Sequence, residues 1–157
     1  MRTTSNSKHK TITSIVLSLF ALFYPVVVFS QSSAVRIIEL NLRKEYVLIK
    51  NEGDAPVNLK GWMLHDHDYS KAAVYSYTFE DLELQANEIL QMQSGEKKGN
   101  ADEDRQTHKL AIAHDYIHWS DRKVWNNGCD IAYLKDAQGK LIDEKRAGNE
   151  GNKEPCQ

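Results

Sequence analysis

The chain has 157 residues, with 20 Lys+Arg against 22 Asp+Glu, 41% hydrophobic residues and two cysteines. That length suits one domain with a single core and leaves no room for a catalytic domain plus a separate binding module. The slight acidic excess disfavours a nucleic-acid partner, because that affinity comes mostly from a basic surface.

Residues 1–30 read as a signal peptide: Arg2, Lys8 and Lys10 precede an apolar run over 12–29, and Val28 and Ser30 stand just ahead of Gln31. The alternative is an uncleaved anchor, since the run approaches the roughly 20 residues of a spanning helix. Thr13, Ser14, Ser18 and Pro25 argue against it. Cleavage removes three of the 20 basic residues and none of the 22 acidic ones, leaving a net charge of −5. The expected layout is a signal peptide over 1–30, a short linker over 31–34, a β-sandwich domain over 35–146 and a flexible tail over 147–157. The expected location is exported, whether periplasmic, cell-surface or secreted, with no membrane span after cleavage.

In chain order, Val35 to Leu42 alternates, with Ile38, Leu40 and Leu42 on one face and Glu39 and Asn41 on the other. Tyr46 to Lys50 continues the pattern, Val47 and Ile49 sharing a face. Asn51 to Pro56 is dense in turn formers. Leu59, Trp62, Met63 and Leu64 resume apolar character, and Tyr75, Tyr77 and Phe79 form an aromatic stripe typical of sandwich cores. Leu82 and Leu84 begin another strand, and Ile89 to Gln93 either continues it or forms its own. Glu96 to Gln106 mixes charges without a large apolar residue and is expected to be a mobile loop. Val124 to Asp143 reads as two strands joined by a turn containing Gly139. Frequent turn signals between short strands indicate an all-β sandwich.

The order EYVLIKNEGDAPVNLKGWML over Glu45 to Leu64, followed by VWNNGCDIAYLKDAQGKLID over Val124 to Asp143, resembles the lamin tail domain, an immunoglobulin-like module also found in exported bacterial proteins. The resemblance runs from about Val35 to Lys145, with Cys129 and the charged segment after Ser94 as departures. It implies a non-catalytic binding or scaffolding module with no cofactor. No heptad region is present, so filament formation through a coiled coil is not implied.

Physical roles attach to the matching positions. Trp62 is expected to bury its ring, and Gly61 to give its strand a flexible entry. Asn126, Asn127 and Gly128 suit a turn with left-handed backbone angles, and Asp130 suits accepting backbone hydrogen bonds there. Cys129 and Cys156 either form a disulfide, permitted in an oxidising compartment, or remain a buried thiol and a tail thiol.

The best chemical candidate is His65-Asp66-His67-Asp68. In an extended strand His65 and His67 project to one side and would share a metal with a carboxylate, Asp66 or Asp68, with His108, His114 or His118 completing the shell. The structural alternative is a polar strand end running into a loop. Ser94-Gly95 lacks the flanks of a nucleophile elbow, Cys129 has no local activator, and Asp102, Glu103 and Asp104 form a solvated charge run. Tyr116, Trp119 and Trp125 are either core or partner-facing aromatics. The leading reading is an exported binding module that recognises a protein or cell-envelope polymer, its oligomeric state undetermined. The rival is a metal-binding protein or metal-dependent hydrolase centred on His65 and His67.

Overall fold

Short alternating segments produce ten strands and one helix in the computed structural model, which describes residues 34–148 other than 69, 71, 73, 74 and 98. The expected signal peptide and Cys156 lie outside the described residues. The strands are β1 (Val35–Asn41), β2 (Tyr46–Asn51), β3 (Val57–Asn58), β4 (Met63–His65), β5 (Ser76–Thr78), β6 (Glu83–Leu84), β7 (Ile89–Ser94), β8 (Asp115–Ser120), β9 (Cys129–Lys135) and β10 (Leu141–Gly148). One four-stranded sheet runs β1-β2-β7-β8 and the other β10-β9-β4-β5, with β3 and β6 as a separate pair. The expected all-β sandwich is the observed class.

Side chains from both sheets fill the space between them. Val47, Ile49, Leu90 and Met92 come from the first, and Leu64, Ala132 and Leu134 from the second, all at most 1% exposed. Each large apolar side chain buried this way contributes roughly 1.5–3 kcal/mol. Trp62 is buried, and its backbone N–H and carbonyl close onto Leu59 O and Phe79 N. Gly61 makes that corner at φ 78, and a Cβ there would come within 3.1 Å of Ala137 Cβ.

Four departures from the expected pattern have physical causes. In β1 the register against β2 shifts between Ile37 and Glu39, so Val35, Ile37 and Leu40 face the core while Ile38 is only half-buried. The extra residue of a bulge reverses the alternation at that point. β2 is inner to its sheet, and Tyr46 and Leu48 are buried as well as Val47 and Ile49.

The charged segment after Ser94 is not a plain loop. It holds helix α1 (Ala101–His108), begun by Asn100, whose side chain accepts the Glu103 N–H at 2.9 Å. β8 pairs with β7 in parallel, and parallel neighbours require a crossover of a dozen or more residues. Residues 95–114 supply that crossover.

The C-terminal hairpin begins later and ends later than the alternation suggests. Its strands are β9 and β10, and its turn is built on Asp136, whose Oδ1 accepts Gln138 N and Lys140 N at 2.9 Å each, with Gly139 at φ 78. β10 reaches Gly148, opposite Cys129, so Ala147 belongs to the sandwich and not to a tail.

Candidate functional site

The His65–Asp68 segment lies where β4 ends and the chain turns toward β5. β4 stops at His65, so strand alternation does not carry His65 and His67 to a shared side. His65 is 2% exposed, donates from Nδ1 to the Asp66 carbonyl at 2.6 Å and stacks on Tyr133 at 5.2 Å. Burial pushes its imidazole down from the ordinary value, and Lys135 adds to that shift, against the pull of the Asp66 carbonyl. His67 instead turns to β9, placing Nδ1 2.9 Å from Asp130 Oδ1 and Nε2 3.3 Å from Asp68 Oδ1.

Asp130 organises this corner. It is wholly buried, and its Oδ1 also accepts Ile131 N at 2.7 Å while Oδ2 accepts Asn126 N at 2.8 Å. The expected left-handed turn at Asn126, Asn127 and Gly128 is absent: none of the three has positive φ. The Asp130 carboxylate shapes the loop by side-chain hydrogen bonding, which makes left-handed backbone unnecessary there.

Asp66 is the anomaly. It is wholly buried, and neither carboxylate oxygen has a hydrogen-bond partner among the described residues. Its pKa is pushed up to about 7, first by burial and then by the Asp130 carboxylate, with the nearby Asp68 backbone N–H opposing. His67 is raised as well: burial works against its charged form, but the Asp130, Asp68 and Asp66 carboxylates outweigh it. Beside the cluster lies a shallow depression of about 310 Å³ walled by His65, His67, Tyr133, Lys135 and Leu141.

The metal expectation fails on this geometry. Among the described residues no three His, Cys, Asp or Glu side chains converge as a ligand set. The other described histidines are engaged elsewhere. His108 Nδ1 meets Thr107 Oγ1, His114 Nδ1 accepts Ile89 N, and His118 Nε2 donates to Gly95 O. The rival centred on His65 and His67 is therefore corrected to a buried carboxylate–imidazole cluster joining β4 to β9.

A second polar centre went unread in the sequence. Glu45, 5% exposed and at φ 59, turns its Oε2 inward to accept Val124 N at 2.9 Å, Trp125 N at 3.2 Å and Ser94 Oγ at 3.0 Å. Next to it, a cavity of about 500 Å³ opens between the β1–β2 turn, the end of β7 and the end of α1. Ser94 is thus a buried partner of Glu45 rather than an exposed hydroxyl.

The aromatic set resolves as packing. Tyr116 and Trp125 are buried, and Trp119 stacks on Trp125 at 6.0 Å and meets Tyr77 edge-on at 5.9 Å, joining β8 to β5 across the sandwich. On the opposite seam, Ile37 N of β1 donates to Asp143 Oδ2 of β10 at 2.8 Å. Of the sheet edges, β1 is therefore covered by β10 and β5 has only three residues, while among the described residues the six-residue β8 pairs only with β7.

Among the described residues no helix is long and apolar enough to cross a membrane. No curated protein matches the chain. The family described as Lamin Tail Domain matches residues 29–148, and the chain belongs to that family of non-enzymatic, immunoglobulin-like domains.

Proposed function

We propose that this lamin tail domain is an exported, non-catalytic binding module that takes an extended segment of a partner protein onto strand β8. The observation that supports it is the free side of β8, a six-residue edge in a sandwich whose other long seam is closed. An open edge presents a row of main-chain donors and acceptors that another chain can continue. Tyr116 N donates to Asp115 Oδ1 at 2.7 Å. Strand alternation puts the His118 amide on the same side. A protein partner fits this edge better than a cell-surface polymer without amides.

His118→Pro removes one of these donors. The variant is expected to lose capture of envelope proteins that wild type retains, at a melting temperature within a few degrees of wild type. Equal capture by both proteins would move recognition away from β8.

Export also bears on the cysteines. Cys129 opens β9 opposite Gly148, and Cys156 follows eight positions beyond Gly148, a span of up to roughly 26 Å when extended. We propose that the two are bridged. Closing that loop is worth about 3–4 kcal/mol in the chain-entropy model. Intact mass under non-reducing conditions is expected to fall two hydrogens short of the dithiol, with no alkylation until reductant is added. Two alkylatable thiols in exported protein would exclude the bridge.

A further inference from the structure

The cluster left over by the binding reading is the one around Asp66. Two wholly buried carboxylates, Asp66 and Asp130, share one corner with Asp68 and His67, and among the described residues Asp66 has no fully formed hydrogen bond, only the Asp68 backbone N–H nearby. An orphaned buried carboxylate is a costly group unless a ligand neutralises it. Among the described residues no three metal-ligating side chains converge here, and a proton is the ligand that the paired carboxylates suit.

His67 carries the second geometric sign. Each ring nitrogen faces a carboxylate, Nδ1 toward Asp130 and Nε2 toward Asp68. Neutral imidazole has one N–H and would set its other lone pair against an anion, whereas imidazolium hydrogen-bonds Asp130 and pairs by charge with Asp68. With Asp66 protonated and His67 charged, the cluster carries a net charge of −1. With both protons gone it carries −3 around two groups shut off from water.

We propose that Asp66, His67, Asp68 and Asp130 form a two-proton latch, which holds the Asp66–Asp68 turn on the base of β9 in mild acid and releases it in mild alkali. The release is local because Asp130 also accepts the Asn126 and Ile131 amides, so a repelled His67 loosens the loop leading into β9. Among the described residues the neighbouring elements supply no compensating charge at Asp66 beyond that of His67. β4 presents His65, held low by burial; β9 presents Tyr133 and, beside His65, Lys135; β10 presents Glu144 and Arg146 around Tyr133; and Asp66 N meets β5's approach through the Tyr75 carbonyl. The latch stands apart from β8 and does not depend on the binding proposal.

The test is residue-resolved amide exchange of the mature protein across the neutral range, corrected for intrinsic base catalysis. Protection of the Asn126 amide is expected to fall about tenfold or more from pH ~6 to pH ~8, the change that one unit of differential proton binding produces. In Asp66→Asn that pH dependence is expected to flatten. Protection that stays constant in wild type, or that falls equally in Asp66→Asn, would overturn the latch. Should that variant fail to fold, Asp68→Asn serves. Removing this partly exposed charge is expected to move the release to lower pH, and an unmoved midpoint would overturn the proposal. A final arm adds Ca²⁺ or Zn²⁺ at pH ~8. Continued release supports protons as the resident ligand, and restored protection would assign the cluster to a cation instead.

Discussion

Glu45→Ala is expected to destabilise the domain by about 3–5 kcal/mol, the range for removing one partner of a buried, hydrogen-bonded charge. The side chain leaves behind two backbone donors, Val124 N and Trp125 N, while Ser94 Oγ keeps only the Glu45 carbonyl at 3.2 Å. Trp125 is 2% exposed and stacks on Trp119, so the loss spreads to the aromatic seam between β8 and β5. Two further measurements separate the causes. Glu45→Gly relieves the left-handed backbone at φ 59 while still deleting the carboxylate, and is expected to recover about 1 kcal/mol of the loss. Tryptophan fluorescence of the alanine variant is expected to shift to the red at denaturant concentrations that leave wild type folded. Urea midpoints equal to wild type would show that the 124–125 amides find other acceptors.

Glu45 also shows why part of this molecule was hidden in its sequence. Its partners Val124 and Trp125 lie 79 and 80 positions away, and a lone acidic residue in an Arg43-Lys44-Glu45-Tyr46 turn carries no local sign of them. The sandwich itself was legible because alternation is a local property: Val47 and Ile49 share the inward face as read. The β1 bulge was not, since a register shift depends on the partner strand β2 and not on the order of residues in β1. The crossover helix was missed for a related reason. α1 has no apolar face, and its position follows from β8 pairing parallel to β7, a tertiary fact.

The histidine segment failed as a metal centre through the same gap between local and tertiary information. Extended spacing would place His65 and His67 side by side, but β4 ends at His65 and His67 is drawn to Asp130, 63 positions on. Asp130 was read correctly as an acceptor of loop amides, which is a local role, while its grip on His67 was not visible. Gly139 and Gly61 were legible because positive φ at a turn selects glycine, and both adopt it. Gly128 does not, because the neighbouring carboxylate of Asp130 had already fixed that loop.

Asp66→Asn is expected to make the protein more stable than wild type at mildly alkaline pH and close to it in acid. The sign follows from linkage. The folded pKa of Asp66, about 7, lies above its ordinary 3.8, so the native state holds a proton that the unfolded chain has released, and stability falls as pH rises from about 4 through 7. A shift of that size corresponds to on the order of 2–4 kcal/mol, which an uncharged isostere recovers above that window. His67 acts in the same direction. Its raised pKa gives stability that is fully present below the unfolded value of 6.5 and is lost as pH rises through the folded one. His65 opposes at the acid end, since its lowered pKa withdraws stability as pH falls from the unfolded value of 6.5 to the lower folded one. Wild type is therefore expected to have its highest Tm in mild acid and to lose several degrees by pH ~8, while Asp66→Asn loses only the share that belongs to His67. Denaturant midpoints at both pH values measure the difference directly, and a wild-type midpoint that does not change between them would mean that the Asp66 carboxylate is already neutralised by something other than a proton.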